Sequence, residues 1–326
     1  MELGGLHHLT AVTTDAAENV AFYTDVLGMR LVKKTVNQDD TSAYHLFYGD
    51  ELGRPGTEVT FFDWPRLRIA ANHPGAGEVS TTELRVPDHA ALEWWAGRFD
   101  ELGVRHGDLA ERDGRSYLDF TDPEGQRLRL SEDRGEGVAG GVPWEKAPVP
   151  REVGIRGLGA VDLTVAELGP TARVLTEVLG FRQTGEISED GGRTVTFEVG
   201  PGGPGTTVRV LERPRAPYAH LGRGGVHHVA FRVPGDEEHA AWRERVRRAG
   251  IGVTPQIDRY YFRSIYFREP GGVLFEIATD GPGFATDEDP EHLGERLSLP
   301  PFLEGRREEI EANLDPIEAG GGAARR

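Results

Sequence analysis

The sequence predicts an α+β fold in which four βαβββ modules form two domains with cupped mixed sheets. Three observations predict this fold. Segments with helical patterning end at Gly28, Gly103, Gly180 and Gly250, which are 75, 77 and 70 residues apart. A short strand-like run precedes each helix, and a glycine-containing turn precedes the last strand of each unit. This repeat of about 75 residues predicts the architecture without reference to any single motif.

The elements of each module follow one order. The opening strand runs are HHLTAV, TTELRV, GAVDLTV and HHVAFRV, which are rich in β-branched residues or alternate in polarity. The helical segments are ENVAFYTDVLG, HAALEWWAGRFDELG, TARVLTEVLG and EHAAWRERVRRAG. Each stops at its glycine because glycine tolerates the left-handed conformation after a helix. The closing strands follow turns in RPGTEVTFF, DPEGQRLRL, GPGTTVRVL and EPGGVLFEI.

The repeats divide the chain into two domains of two modules each. We assign residues 5–132 to the first domain and residues 154–280 to the second. Residues 133–153 are rich in glycine and proline and are predicted to be the linker. Residues 281–326 form a C-terminal extension, for which we expect one more helix and a disordered tail ending in GGGAARR.

Composition excludes several classes of function. The chain has 37 Lys and Arg against 54 Asp and Glu, and this net charge of −17 argues against a nucleic-acid partner. It has no cysteine, so any metal must be held by His, Asp or Glu. A secretion signal and a stretch of ~20 apolar residues are both missing, so we expect a cytoplasmic protein without a membrane partner. A homo-oligomer remains possible.

Comparison of the four modules selects three candidate metal ligands, His8, His228 and Glu276. His8 and His228 stand at equivalent positions of the first strands, where the other two modules carry Thr81 and Ala160. Glu276 stands on the last strand of its module, where the other modules carry poor ligands: Thr60, Arg129 and Arg209. The set combines modules one and four, so we predict that these two pack together. Two histidines and one carboxylate with open coordination positions are typical of non-heme Fe(II) oxygenases. A catalytic zinc site can use the same ligand types, so the triad alone does not select the metal.

Longer strings carry a family resemblance: GLHHLTAV, FYTDVLGMRLVKKTVNQDD, YHLFYGDELGRPGT and DRYYFRSIYFREPGGVLFEIATD. Over about residues 5 to 280 the chain resembles the vicinal oxygen chelate superfamily of glyoxalases and extradiol dioxygenases. More narrowly, it resembles the ring-cleaving dioxygenases that act on hydroquinones. The resemblance implies glyoxalase/dioxygenase-like domains and Fe(II) held by His8, His228 and Glu276, with Mn(II) as a possible substitute.

The resemblance also implies that His7, Arg259 and Tyr266 lie at the active site. Tyr266 and Arg259 would stabilise charge that develops during the reaction, and His7 would move a proton. Simple strand alternation aims His7 away from the metal face, so this role requires an irregular start of the strand. Four residues of another strand are interpreted mostly as sheet packing and are left out of the site: Tyr44, His45, Phe47 and Tyr48.

Together these features predict an Fe(II)-dependent dioxygenase that opens substituted hydroquinones, with a small aromatic diol and O2 as its partners. Three alternatives are an extradiol catechol dioxygenase, a glyoxalase-type metal isomerase and a non-catalytic aromatic-binding protein. An isomerase usually has a fourth ligand where Thr60 stands. A catechol enzyme usually takes its ligands from the C-terminal modules, where Ala160 and Arg209 cannot bind metal. A binding protein needs no triad.

Overall fold

The computed structural model describes residues 1–64, 69–189 and 192–317, and each module contributes four strands. Modules one and two contain β1 (Leu6–Thr13), β2 (Arg30–Val36), β3 (Tyr44–Gly49), β4 (Glu58–Asp63), β5 (Glu78–Val86), β6 (Ala110–Arg112), β7 (Arg115–Thr121) and β8 (Arg127–Glu132). Modules three and four contain β9 (Leu158–Val165), β10 (Arg182–Glu189), β11 (Gly192–Glu198), β12 (Thr207–Glu212), β13 (Val226–Val233), β14 (Ile257–Asp258), β15 (Arg263–Arg268) and β16 (Leu274–Thr279). The tail predicted to be disordered lies outside the described residues.

One helical segment follows the first strand of each module. The module helices are α1 (Ala16–Ala21) with a π-helical turn (Phe22–Val26), α2 (His89–Leu102), α3 (Leu168–Arg173) with a π-helical turn (Val174–Val178), and α4 (Asp236–Arg248). The four glycines predicted to end these segments all have positive φ, between 67° and 79°. None of the helices in the described ranges is long and apolar enough to cross a membrane.

The strands form two mixed sheets of eight strands each. The first sheet has the order β14-β15-β16-β13-β1-β4-β3-β2, and the second has the order β10-β11-β12-β9-β5-β8-β7-β6. Modules one and four therefore share the first sheet, as predicted, and modules two and three share the second. The α+β class is confirmed. Each sheet joins one module from residues 5–132 to one module from residues 154–280.

Buried aromatic side chains connect the helices and the linker to the sheets. Trp95 of α2 and Trp242 of α4 are both fully buried. The indole N–H of Trp95 donates a hydrogen bond to the carbonyl of Val153 at 2.8 Å. Because Val153 belongs to the linker, this bond fixes the linker against the second module.

The C-terminal extension packs on the first sheet through a buried lysine. Lys33 of β2 is fully buried, and its ammonium donates to Asp287 at 2.7 Å and also to Glu288. The same ammonium lies 4.7 Å from the centre of the Tyr261 ring, and the Tyr261 hydroxyl donates to Asp287 at 2.9 Å. This network anchors the extension beside the loop that precedes β15.

The extension differs from its prediction in one respect, because it contains two short helices where one was expected. These helices are α5 (Pro301–Glu304) and α6 (Arg307–Asn313). A turn at Gly305 and Arg306 separates them. Ile310 of α6 is buried, so the second helix still lies against the body of the protein, as expected.

We predict that Lys33→Met lowers the free energy of unfolding by about 3 kcal/mol, because two carboxylates lose their buried cation. Urea denaturation followed by circular dichroism measures the change. Arg306→Met is the matched control, since Arg306 pairs with Glu309 on the exposed surface and should contribute little. Equal stability of the Lys33→Met protein and the wild type would contradict an anchoring role for this network.

Candidate metal centre

Three side chains from three neighbouring strands converge in the middle of the first sheet. His228 Nε2 lies 2.9 Å and His8 Nε2 lies 3.3 Å from Glu276 Oε2, and the two nitrogens are 3.4 Å apart. All three residues are at most 3% exposed. An octahedral ion with bonds of about 2.1 Å has neighbouring ligand atoms roughly 3 Å apart, so the spacing fits one face of such an ion.

The hydrogen bonds behind His8 determine which of its nitrogens has a free lone pair. His7 Nε2 lies 3.1 Å from the Thr279 carbonyl, which only accepts, so this nitrogen carries the hydrogen. Burial lowers the pKa of His7 to about 3, so the ring is neutral and its Nδ1 is an acceptor. His8 Nδ1 therefore donates to His7 Nδ1 at 2.9 Å. The lone pair of His8 is left on Nε2, which faces Glu276.

The second histidine ligand has a matching environment. His228 Nδ1 lies 2.7 Å from His227 Nδ1, and the Thr10 hydroxyl lies 3.0 Å from His228 Nε2. Burial lowers the pKa of His228, while the contact with Glu276 acts in the opposite direction. Its Nε2 can accept from Thr10 when no ion is bound. The Nε2 atoms of both imidazoles thus face Glu276.

Glu276 completes the donor set as a carboxylate. Burial raises the pKa of Glu276, but the neighbouring His8 and His228 outweigh that effect and hold it well below its usual range. Ser264 donates to Oε1, whereas the buried Oε2 has no hydrogen-bond donor among the described residues. A cation bound by His8 Nε2, His228 Nε2 and Glu276 Oε2 would satisfy three buried polar atoms at once, so these residues fit a divalent metal.

A second group could also hold an ion, since His7, His8 and Glu58 bring ligand atoms within 4.8 Å of one another. This group would have to use His8 Nδ1, which is engaged by the hydrogen bond to His7. His7 Nδ1 is also 3.9 Å from Glu58 Oε2, a wider separation than any in the triad. The triad is therefore the better metal site of the two.

A β-bulge explains why His7 approaches His8. Along β1 the antiparallel pairing with β13 shifts by one residue between Leu6 and His8, which leaves His7 as the extra residue. A second shift leaves His227 unpaired on β13. A bulge re-aims a side chain, so the irregular strand start that the role of His7 required is present. His7 contacts Nδ1 of His8, the ring nitrogen on the side away from Glu276. It is not among the residues that line the cavity.

Modules one and four of the first sheet are related by an approximate twofold symmetry, so each residue of the site has an equivalent position in the other module. Thr60 is opposite Phe47, as Glu276 is opposite Tyr266, so Thr60 occupies the position of a fourth ligand. In this symmetry His45 corresponds to Ser264.

Thr60 is engaged in a hydrogen-bond chain. His45 Nε2 lies 3.0 Å from the Thr60 hydroxyl, which lies 2.8 Å from that of Thr10. The Thr10 hydroxyl in turn lies 3.0 Å from His228 Nε2. A threonine hydroxyl held in this way is a poor metal ligand, so the module-one side of the centre has no fourth protein ligand.

Tyr266 and Arg259 lie on the module-four side of the centre. The Tyr266 ring is 5.6 Å from the His228 ring, and the Arg259 guanidinium is 5.5 Å from the centre of the Tyr266 ring. Arg259 donates to Asp39 at 2.8 Å, which fixes its direction. Burial, together with the charge of Glu276, raises the pKa of Tyr266, so its hydroxyl stays protonated and can donate.

An unusual backbone conformation shapes the loop that carries Arg259. Tyr260 has φ of 71°, in the left-handed region that residues other than glycine rarely adopt. The Tyr260 N–H donates to Asp258 at 2.8 Å, and the Arg259 N–H donates to the Phe262 carbonyl at 2.9 Å. Such strained residues cluster at functional sites. Here the turn brings Arg259 and Phe262 to the same cavity.

A cavity opens onto the triad, with His8 and His228 in its wall. Its apolar walls are aromatic: Phe47, Phe62, Tyr261 and Phe262. Phe262 lies 5.2 Å from the His8 ring, centre to centre. An aromatic slot of this kind suits a flat ring, because the faces and edges of aromatic groups pack favourably against one another.

The equivalent place in the second sheet is filled by ion pairs. Arg209, which corresponds to Glu276, donates to Glu83 at 2.8 Å and to Asp162 at 2.9 Å. Arg129, which corresponds to Thr60, donates to Asp119 at 2.7 Å. Both metal-capable groups found among the described residues lie in the first sheet. Among the described residues, the first sheet therefore carries the candidate metal centre and the second sheet carries its salt-bridged counterpart.

The structure brings the six predicted site residues together. His8, His228 and Glu276 converge, Tyr266 and Arg259 line the adjoining cavity, and His7 lies behind His8. Other neighbours of the ligands were missed from the sequence: Thr10, His227 and Ser264. Strand alternation could have found Thr10 and Ser264, which lie two residues from His8 and Tyr266. His45 and Phe47, interpreted as sheet packing, also line the cavity.

Comparison with known proteins identifies the family. The model of the glyoxalase/bleomycin resistance protein/dioxygenase superfamily matches residues 5–130 and 157–277. The chain therefore belongs to this superfamily, and the resemblance seen in the sequence is confirmed. Glyoxalase I of Zea mays has the same fold at 14% identity, with a TM-score of 0.61 over 85% of this chain and 92% of that one.

Closer relatives have more specific names. MhqA of Bacillus subtilis (strain 168), named a "putative ring-cleaving dioxygenase", is 49% identical over 98% of this chain and 100% of its own. The chlorohydroquinone/hydroquinone 1,2-dioxygenase of Sphingobium indicum is 35% identical over 96% of this chain and 97% of its own. A crystal structure from Bacillus subtilis, described as a "putative dioxygenase", has 39% identity and a TM-score of 0.88, covering 97% and 98% of the two chains.

We predict that Glu276→Gln abolishes binding of Fe(II), because the site loses its only negative charge. His7→Phe should weaken binding by about 10-fold, the usual effect of losing a group that orients a ligand. Anaerobic titration with Fe(II), followed by desalting and elemental analysis, measures both effects. Glu58→Gln is the control that separates the two candidate groups. Loss of metal from the Glu58→Gln protein but not from the Glu276→Gln protein would contradict the assignment to the triad.

Proposed function

We propose that this protein is an Fe(II)-dependent dioxygenase that opens substituted hydroquinone rings with O2. The observation that carries the proposal is a buried triad of His8, His228 and Glu276 without a fourth protein ligand, at the end of an aromatic cavity. The names of its relatives, which include a chlorohydroquinone/hydroquinone 1,2-dioxygenase, support the same activity. Mn(II), whose ligand preferences overlap, is the alternative ion.

The protein would hold the ion through neutral imidazoles and one carboxylate, which are ligands suited to Fe(II). Bound there, Fe(II) would supply the one-electron chemistry that allows O2 to react with an aromatic ring. His7 would keep the His8 lone pair on Nε2 by accepting the hydrogen of Nδ1. Both nitrogens of His7 are engaged, by His8 and Thr279, so we propose an orienting role for this residue in place of proton transfer.

The cavity would bind and orient the ring. Phe47, Phe62 and Phe262 provide apolar surface, and their packing excludes bulk water from the space beside the triad. Tyr266 would donate its O–H to negative charge that develops on the reacting oxygen atoms. Arg259, held by Asp39, would add a fixed positive charge nearby. Such groups act strongly where water is excluded, because the local dielectric constant is low.

The position of Thr60 favours this activity over glyoxalase-type isomerisation. An isomerase of this fold would place a fourth protein ligand there, whereas the Thr60 hydroxyl is engaged by Thr10 and His45. Because Thr60 would not bind the ion, His8, His228 and Glu276 would hold it alone and leave it accessible to small ligands. O2 is the ligand that ring cleavage requires.

We expect anaerobically Fe(II)-loaded protein to consume O2 when it is given methylhydroquinone. The loss of ring and of O2 should be equimolar, because both oxygen atoms enter the opened product. Oxygen-electrode traces and ultraviolet spectra measure the two losses. Methylcatechol, tested in parallel, is the control for substrate class. Faster uptake with methylcatechol would replace the hydroquinone assignment, and no uptake with either diol would refute the dioxygenase.

Tyr266→Phe should lower the rate of ring cleavage by about 100-fold while Fe(II) binding stays unchanged, because only a hydrogen-bond donor is lost. Tyr117→Phe is the matched control. Tyr117 lies in the second sheet with the Arg129 guanidinium 4.3 Å from its ring, so it reproduces the Tyr–Arg pair away from the triad. Steady-state rates of the two variants, each corrected for bound iron, test the role. An unchanged rate in the Tyr266→Phe protein would remove this tyrosine from the mechanism.

A further inference from the structure

Two polar residues face each other in the wall of the cavity, away from the triad. Thr35 on β2 is directly opposite His45 on β3 in the antiparallel pairing. Both residues line the cavity that opens onto His8 and His228. Neither Thr35 nor His45 has a role in metal binding.

Thr35 carries a hydroxyl that the fold does not satisfy. The residue is 2% exposed, and its Oγ1 is buried without a hydrogen-bond partner among the described residues. Buried polar groups in folded proteins are nearly always hydrogen-bonded, so an exception requires an explanation. A ligand hydroxyl in the cavity would supply the partner.

His45, in the same cavity wall, has one ring nitrogen, Nδ1, that is free to bind a ligand. Its Nε2 is engaged by Thr60 at 3.0 Å, whereas no donor or acceptor among the described residues bonds to Nδ1. The ring lies between Phe47 and Phe62, with centre-to-centre distances of 4.0 and 4.4 Å, so it is held firmly. Burial lowers the pKa of His45 well below its usual range, so the ring remains neutral.

We propose that Thr35 and His45 form the subsite that binds the second hydroxyl of the substrate, the one that is not bound to the metal. This inference rests on the proposed function and names the feature by which the site selects its substrate. A phenolic hydroxyl both donates and accepts, and a threonine hydroxyl with a neutral imidazole nitrogen offers the complementary pair. The subsite distinguishes a diol from a phenol with a single hydroxyl.

The location of the subsite favours a para-diol. In the sheet order β4 lies between β3 and β1, and His45 pairs with Phe62 of β4 whereas His8 pairs with Glu58, four residues earlier. At a strand spacing of about 4.8 Å and about 3.3 Å per residue, the backbones of His45 and His8 are therefore more than about 10 Å apart. The hydroxyls of a catechol are adjacent, so both would stay beside the metal. The second hydroxyl of a hydroquinone is at the opposite end of the ring and points away from the metal.

The test compares binding of three ligands to the Fe(II)-loaded protein without O2, measured by titration calorimetry. Thr35→Val should weaken hydroquinone binding about 3- to 10-fold, the usual effect of one lost hydrogen bond. Binding of phenol and catechol should not change, because neither places a hydroxyl at Thr35. Thr35→Ser, which keeps the hydroxyl, should restore the affinity for hydroquinone.

Thr82→Val is the matched control, because Thr82 has a buried hydroxyl without a partner in the described residues but lies in the second sheet. It should leave all three affinities unchanged. Equal effects of Thr35→Val on hydroquinone and phenol, or no effect on hydroquinone, would overturn the subsite.

Oxygen uptake by the same preparations separates the two proposals. Uptake with hydroquinone but no selective effect of Thr35→Val would refute the subsite and leave the dioxygenase standing. A selective effect on binding without any uptake would retain the subsite and refute the dioxygenase. No binding of any of the three ligands would refute both.

Discussion

The antiparallel pairing of β1 with β13 is the contact on which the rest of the site depends. It places Thr10 opposite His228 and brings His8 Nε2 within 3.4 Å of His228 Nε2, although the two histidines are 220 residues apart in the chain. The parallel pairing of β13 with β16 then adds Glu276. No single module contains a complete ligand set, so the metal centre exists only when the first and last modules share a sheet.

The two modules are alike in backbone and different in chemistry. Thr60 and Glu276 occupy equivalent positions, as do His45 and Ser264, but only Glu276 is a metal ligand. This difference would leave one side of the candidate centre open while the other side supplies the ligands. In the second sheet the same backbone positions carry Arg209 and Arg129, whose ion pairs neutralise the buried charge without a metal. A repeated scaffold thus supports one candidate metal site and one salt-bridged counterpart.

The internal repeat explains why the triad could be predicted from the sequence and why its surroundings could not. His8, His228 and Glu276 follow from alignment of four similar modules, because equivalent strand positions face the same side of a sheet. The approach of His7 to His8 depends on a bulge in the β1–β13 pairing, which joins distant parts of the chain. The Thr35–His45 pairing likewise follows a register shift after Leu31, so strand alternation alone would mispair these residues.

The hydrogen bond from Tyr261 to Asp287 gives the C-terminal extension a part in recognition. Tyr261 lines the cavity, and its ring also covers the ammonium of Lys33. The shape of the binding space is therefore set in part by residues outside the four modules. Under the proposed function, a substitution in this extension would change which rings fit the cavity without a change at His8, His228 or Glu276.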